Sequence, residues 1–242
     1  MTELSKTIEI QISDCDLSGR LRPSVAQCRL LELGEEQASS FGLSYSELLK
    51  RGMLWVLYRL HINLRAVPKA YDAIRITTWP GVIEGPVFPR FFTLEKGGKR
   101  IGEAVTTWVL IDVSSRRPLR PSVLEGQLPQ ARNIPDPLPL PGMLRIENAR
   151  HVTDRPVHYS DIDINGHMNN AKYLEWICDI LPLERMRAAG ICEWQINYIA
   201  EALPGERLSL FLLEDALGAS VLGKKENDGR LAFEAKVTYG RL

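Results

Sequence analysis

Three polar residues suited to acid–base chemistry stand at alternate positions in one short segment of the chain: Asp163, Asn165 and His167. In an extended or turning segment, alternate side chains face the same way, so we expect all three on one side. A carboxylate, an amide and an imidazole gathered there can orient a carbonyl group and transfer a proton. Glu201 offers a further carboxylate at the end of a predicted strand. We predict that these four residues form a catalytic site.

A helix is predicted to begin just after His167, and its start adds to the chemistry. The first N–H groups of a helix have no partner inside it and carry partial positive charge, which suits a developing oxyanion. Asn169 and Asn170 stand at this point, where asparagine is a favoured cap. The helix start is therefore predicted to stabilise negative charge on a substrate oxygen.

Each candidate also has a structural interpretation. An aspartate before a helix commonly closes an Asx turn or caps the helix. A single histidine is often half-buried and hydrogen-bonded without any catalytic role. Glu201, just ahead of Leu203-Pro204-Gly205, is also the kind of exposed carboxylate found at a strand end. The residues by themselves leave both interpretations open.

An internal repeat helps to separate the two interpretations. The string Ser160-Asp161-Ile162-Asp163-Ile164-Asn165-Gly166 matches Ser13-Asp14-Cys15-Asp16-Leu17-Ser18-Gly19 near the start of the chain. A second match aligns residues 62–66 with residues 196–200. One structural unit is therefore present twice, and the sequence predicts two small similar domains.

The two copies differ at the positions that carry chemistry. Arg20 in the first copy takes the place of His167, and Val67 takes the place of Glu201. A purely structural turn needs no histidine and glutamate in one copy alone, so the second copy is predicted to be active and the first silent. Asp163 is the least distinctive candidate, because the first copy keeps an aspartate at its position.

Composition narrows the class of protein. The 242 residues are 45% hydrophobic and 25% charged, and the formal net charge is zero, which favours neither nucleic acid nor an anionic membrane as the main partner. The four cysteines show no CxxC spacing and are predicted to be reduced thiols of a cytoplasmic protein. Neither a signal peptide nor a membrane span is predicted. The four histidines lack metal-ligand spacing and no cofactor-binding loop is present, so we expect no metal and no cofactor.

The hydrophobic pattern of each unit predicts a strand, a long helix and then several antiparallel strands. The predicted helices cover residues 23–41 and 169–188, and the predicted strands cover residues 5–12, 53–64, 74–79, 88–94, 101–113, 149–158, 192–201, 206–214, 218–225 and 230–238. Such a sheet buries its apolar face by curling around its own helix, and two units side by side can pair their edge strands. This is an α+β architecture with a pseudo-twofold axis.

A stretch rich in proline, residues 127–142, separates the units. It contains prolines 129, 135, 137, 139 and 141, which exclude a helix or an inner strand and indicate a stiff, extended connector. The predicted boundaries are residues 1–128 for the N-terminal domain, 129–148 for the linker and 149–242 for the C-terminal domain.

The segment from Asp163 to Trp176 resembles the D-x-N-x-H-x-N-N-x-x-Y-x-x-W signature of the acyl-acyl-carrier-protein thioesterases. Two segments of the first unit, Leu54 to Arg59 and Thr106 to Asp112 followed by Arg116-Arg117-Pro118, are also similar to that family. The resemblance covers nearly the whole chain. It implies a tandem (double) hotdog, in which each unit has a long helix wrapped by an antiparallel sheet.

The resemblance also implies a function and a partner. The activity would be hydrolysis of the fatty acyl thioester of acyl carrier protein, with release of free fatty acid in fatty acid biosynthesis. Asp163, Asn165, His167 and Glu201 match the catalytic residues of the family, and its first hotdog is associated with acyl-chain binding. Plant members carry a cysteine directly after the glutamate, where this chain has Ala202, so attack by water, or by Glu201 itself, is implied. The absence of a plastid extension favours a bacterial cytoplasmic enzyme.

Three alternatives stay open on the sequence: a thioesterase acting on acyl-CoA, a hotdog dehydratase, and an acyl-binding module without catalysis. The dehydratase would use a histidine and a carboxylate on the same scaffold. The sequence predicts neither the preferred acyl chain length nor the oligomeric state, and a homodimer is compatible with it.

Overall fold

The computed structural model describes residues 2–128 and 137–240, and the order of its elements repeats once. The first unit consists of β1 (Leu4–Glu9), α1 (Pro23–Ser40), α2 (Tyr45–Lys50), β2 (Met53–Leu64), β3 (Ala73–Pro80), β4 (Val87–Lys96) and β5 (Lys99–Asp112). The second unit consists of β6 (Arg150–Pro156), α3 (Asn170–Ile180), α4 (Leu183–Ala188), β7 (Ile191–Tyr198), β8 (Arg207–Glu214), β9 (Gly218–Lys225) and β10 (Leu231–Tyr239). None of these helices is both long enough and apolar enough to cross a bilayer.

The strands of the described residues form one antiparallel sheet in the order β1-β3-β4-β5-β2-β7-β10-β9-β8-β6. The second half of this order repeats the first half in reverse, as a twofold axis requires. Strands β2 and β7 pair at the centre, and His61 lies opposite Gln195. Because the repeat aligns these same two positions, the pseudo-twofold axis passes through this pair.

The helices lie against the sheet and bury their apolar faces there. Leu30 and Leu33 of α1 and Leu174 and Ile177 of α3 are buried in one cluster that spans both units. Full burial of a leucine or isoleucine side chain contributes about 1.5–3 kcal/mol. Since α1 and α3 also contact each other, the units share a core as well as a sheet.

The prediction of one continuous helix over residues 169–188 was wrong. Helix α3 ends at Ile180 and α4 begins at Leu183. Pro182 lies between them, and a proline disfavours the helical conformation at the residue before it. Leu181 accordingly has a ψ of 149°. The apolar periodicity continues through the break, which is why the pattern predicted a single helix.

Two strand boundaries also differ from the prediction. Strand β1 ends at Glu9, and a short 3₁₀ turn follows over Ile12–Asp14. Strand β7 ends at Tyr198, because the amides of Ile199 and Ala200 both donate to the carbonyl of Ala232 and regular pairing stops there. Glu201 therefore lies beyond the strand and not at its last residue. The short helix α2 was not predicted.

The proline-rich stretch lies partly outside the described residues, because residues 129–136 are not described. Residues 137–149 form neither helix nor strand. Arg59 donates to the carbonyl of Pro141 at 3.0 Å, and Gln195 donates to the carbonyl of Gly142 at 2.7 Å. These bonds attach the connector to the two central strands.

Candidate active site

The turn over residues 161–169 precedes α3 and is fixed by Asp161. This aspartate is 7% exposed, and its carboxylate accepts hydrogen bonds from the His158 amide at 2.9 Å and from the Trp176 indole at 3.3 Å. One bond lies before the turn and the other lies within α3. Asp161 therefore holds the turn against the helix.

Asp163 closes the turn itself. Its carboxylate accepts the Asn165 amide at 2.8 Å, and its own amide donates to the carbonyl of His167 at 3.0 Å. Gly166 adopts a φ of +77°, a conformation that favours glycine. The Asp163 carboxylate is thus used by the backbone of its own turn, and the Asn165 side chain is exposed.

His167 and Glu201 come together because the turn is bonded to the segment that follows β7. The Met168 amide donates to the carbonyl of Ala202 at 2.8 Å, which places the preceding residues of the two segments side by side. The distance from His167 Nε2 to Glu201 Oε1 is 3.7 Å, and both side chains are half-buried. Of the four predicted residues, the structure pairs these two.

Glu201 has a second partner that the sequence did not predict as a site residue. The Arg116 guanidinium contacts Glu201 Oε1, the same oxygen that faces His167. Arg116 belongs to the first unit and is 85 residues from Glu201 in sequence. No spacing rule relates residues that far apart, although Arg116 lies in one of the segments that resemble the thioesterase family.

The start of α3 offers fewer free N–H groups than predicted. Asn169 caps the helix, since its side chain accepts the Ala171 amide at 2.9 Å. The Asn170 amide has no acceptor among the described residues. The Tyr198 hydroxyl donates to the Asn170 carbonyl at 2.9 Å and holds this first residue of the helix in place. Of the first three amides of α3, the Asn170 amide is therefore the one left for a further acceptor.

Cysteine chemistry has little support at this site. None of the four cysteines, all of which lie among the described residues, forms a disulfide. Burial raises the pKa of the Cys178 thiol to about 12, so this thiol stays protonated at neutral pH. The described residues contain no group of three or more His, Cys, Asp or Glu side chains arranged to hold a metal ion.

The corresponding turn of the first unit, residues 14–22, has the same backbone and a different use. Asp16 accepts the amide of Ser18 at 2.8 Å, and the Leu21 amide donates to the carbonyl of Pro68 at 2.7 Å. The side chain of Arg20, however, donates to carbonyls at the end of α4 in the other unit, those of Met186, Arg187 and Ala188. This turn therefore joins the two units.

The first unit also contains an apolar cavity of about 100 Å³ between α1 and the sheet. Its walls include Trp55, Phe88 and Trp108. Two charged side chains border it, those of Glu35 and Arg90, and the Arg90 guanidinium donates to the side chains of Gln37 and Thr78. Burial lowers the pKa of Arg90 to about 10.

Fold and site together define a tandem hotdog protein in which the turn before α3 places the His167 imidazole beside the Glu201 carboxylate. Two family models match the chain: the acyl-ACP thioesterase N-terminal domain over residues 2–124 and the acyl-ACP thioesterase C-terminal domain over residues 146–240. The chain therefore belongs to the acyl-ACP thioesterase family.

Solved structures show the same fold. An acyl-ACP thioesterase from Bacteroides thetaiotaomicron superposes with a TM-score of 0.88 at 28% identity, over 98% of each chain. The 12:0-ACP thioesterase from Umbellularia californica superposes with a TM-score of 0.85 at 18% identity, over 99% of this chain and 97% of that one. The predicted tandem hotdog is confirmed.

Curated relatives match over part of their length. A chloroplastic palmitoyl-acyl carrier protein thioesterase from Gossypium hirsutum is 23% identical over 64% of this chain and 40% of its own length. Oleoyl-acyl carrier protein thioesterase 1 from Arabidopsis thaliana is 28% identical over 64% of this chain and 48% of its own length. The chain thus spans about half the length of these relatives, or less.

Proposed function

We propose that this protein hydrolyses the thioester between a fatty acyl chain and acyl carrier protein and releases the free fatty acid. The observation that carries the proposal is the 3.7 Å approach of His167 to Glu201, beside the start of α3. Membership of the acyl-ACP thioesterase family gives the substrate class.

In the proposed reaction, Glu201 is the general base. It takes a proton from a water molecule, and the water oxygen attacks the thioester carbonyl carbon. His167 orients that water and the carbonyl group. Because residue 202 is an alanine, no thiol is offered directly after the glutamate, and water is the nucleophile. General base catalysis typically contributes about 10²–10⁴-fold to the rate.

The tetrahedral intermediate places negative charge on the former carbonyl oxygen. The Asn170 amide at the start of α3 donates a hydrogen bond to it, and such a donor is worth about 2.7–4 kcal/mol. The intermediate collapses as the carbon–sulfur bond breaks and the proton on Glu201 passes to the leaving thiolate. The products are the fatty acid and the free thiol of the carrier. Asp163 maintains the turn that presents His167, and Asn165 contacts the substrate from the exposed side of that turn.

The two domains divide this work. Residues 149–242 carry the chemistry, residues 129–148 link the domains, and residues 1–128 receive the acyl chain. The apolar cavity lined by Trp55, Phe88 and Trp108 supports this assignment, and it suits the terminal part of an acyl chain. The protein acts in the cytoplasm, where its four cysteines stay reduced as thiols.

Release of free fatty acid by the purified protein tests the proposal. Acyl carrier proteins charged with acyl chains of several lengths are compared with the matching acyl-CoA esters, and Glu201→Gln, prepared in the same way, measures background hydrolysis. Faster release from the carrier protein than from CoA supports the proposal. Preference for CoA, loss of water from a 3-hydroxyacyl thioester, or acyl binding without turnover would each replace it with one of the three alternatives.

A further inference from the structure

Arg116 joins the first unit to the predicted base of the second unit. It lies on the turn after β5, and its Nη2 contacts Glu201 Oε1. The same oxygen faces His167 Nε2 at 3.7 Å. The carboxylate therefore lies between two nitrogen groups, one from each unit, and its orientation depends on both.

The turn that carries Arg116 is built to fix its backbone. Arg116 has a φ of +58°, which is uncommon for a residue with a side chain. Its amide donates to the Asp112 carbonyl at 2.9 Å. The Asp112 carboxylate accepts the Ser114 hydroxyl and the Ser115 amide, each at 2.7 Å. These bonds lower the pKa of Asp112 to about 2, so the turn keeps an ionised aspartate at neutral pH.

Glu201 lacks the support that a strand would give it. Its segment has left the β7 ladder, and its side chain is 36% exposed. A glutamate in such a place has several rotamers available, and fixing them costs conformational entropy. A charge-assisted hydrogen bond from arginine opposes that freedom, and the planar guanidinium also restricts direction.

We propose that Arg116 is a positioning residue, which holds the Glu201 carboxylate with Oε1 directed at His167. This inference rests on the proposed thioesterase function. It gives the first unit a role in the chemistry as well as in acyl binding. An ion pair with this much exposure adds little to the stability of the fold. Its effect is therefore on the orientation of the Glu201 carboxylate.

Three variants test the role by steady-state kinetics on acyl carrier protein charged with a fatty acyl chain. Arg116→Gly removes the charge. Because glycine readily adopts the positive φ of this position, we expect the variant to keep its fold. We expect kcat to fall about 10- to 100-fold with KM unchanged, since a catalytic group displaced by about 1 Å costs up to that much. Arg116→Lys keeps a positive charge and is expected to recover part of kcat. Arg117→Ala, an exposed neighbour, is the matched control and is expected to match the wild type.

Each contrary result would overturn the positioning role. A wild-type kcat in Arg116→Gly would show that the contact between Arg116 and Glu201 does not affect catalysis. A raised kcat would show that this contact makes Glu201 a weaker base. A raised KM with unchanged kcat would assign Arg116 to substrate binding.

Crystal structures of the wild type and Arg116→Gly separate this inference from the proposed function. We expect the Glu201 side chain to turn away from His167 in the variant. An unchanged Glu201 would reject the positioning role whether or not the protein is a thioesterase. Conversely, absence of hydrolysis by the wild type would reject the thioesterase function, and the two crystal structures would still decide whether Arg116 positions Glu201.

Discussion

The turns over residues 14–22 and 161–169 share one backbone and do different work. Each is closed by an aspartate that accepts an amide two residues ahead, Asp16 in the first turn and Asp163 in the second. Each has a glycine at positive φ, Gly19 and Gly166. Each also donates one amide to the segment that follows the central strand of its unit. The hydrogen bonds that shape the turn are thus independent of what its exposed side chains do.

The two turns differ in what their side chains contact. In the first, Arg20 reaches across to the carbonyls at the end of α4, and Val67 packs against the core. In the second, His167 and Glu201 face each other, and Glu201 meets Arg116 from the first unit. The first turn therefore contacts the opposite unit directly, whereas the second lies beside Glu201, whose carboxylate contacts Arg116 of the first unit. The repeat thus provides two equivalent turns. Their different side chains make the first a contact between the units and the second a part of the candidate site.

The largest effect should follow from removing the carboxylate that the first unit lacks. Glu201→Gln keeps the size of the side chain and removes the base, so we expect kcat on acyl carrier protein substrates to fall about 10³-fold. Circular dichroism should show an unchanged fold, because Glu201 is half-exposed. Val67→Ala at the equivalent position is the control and should leave kcat unaltered. Near-full activity in Glu201→Gln would show that the second turn is as silent as the first.

Removing the imidazole should have the next largest effect. His167→Ala leaves Glu201 and its arginine partner in place but no longer orients the water, and we expect kcat to fall about 10²-fold. Assays that quantify the free fatty acid released at fixed times would measure this fall in kcat. Arg20→His, which places an imidazole in the first turn, should create no second activity when introduced into the Glu201→Gln background. Hydrolysis regained there would contradict the assignment of a silent copy.

Arg20 should matter for stability and not for chemistry. Arg20→Ala removes the hydrogen bonds to the α4 carbonyls, and bonds from a charged donor contribute about 1.5–3 kcal/mol. We expect the free energy of unfolding in urea to fall by about that amount with kcat retained. Arg22→Ala, which loses a single bond to the Ser13 carbonyl, is the matched control and should cost less. An equal fall in the free energy of unfolding in both variants would argue against Arg20 as a residue that joins the two units.

The smallest effect concerns the helix starts. Asn169 caps α3 with its side chain, whereas Arg22 at the equivalent place makes no such bond and Pro23 begins α1. Asn169→Ala should lower the free energy of unfolding by about 1 kcal/mol, and Asn169→Asp, which restores an acceptor, should not. Thermal unfolding of both variants measures the difference. An unaffected Asn169→Ala would mean that α3 needs its cap no more than α1 does.

Much of the fold was predictable because its signals are local. The strand and helix order of both units follows from apolar periodicity, and the turn around Asp163 follows from aspartate and glycine at fixed spacing. The same local signals also caused the errors. Periodicity continues across Pro182, so the helix break was not predicted. The end of β7 depends on Ala232, which lies on another strand and cannot be located from the sequence near Glu201.

The sequence by itself determined that one unit is present twice and that histidine and glutamate occur at equivalent positions in one copy. Those facts need only an alignment of the chain with itself. Tertiary structure alone decided that His167 and Glu201 meet, that Arg116 joins them and that Arg20 reaches α4. The reason is physical: the first contact depends on the bond between the turn and the segment after β7, and the other two form where the pairing of β2 with β7 brings the two units together. A long side chain crossing that boundary leaves no periodic trace in the sequence.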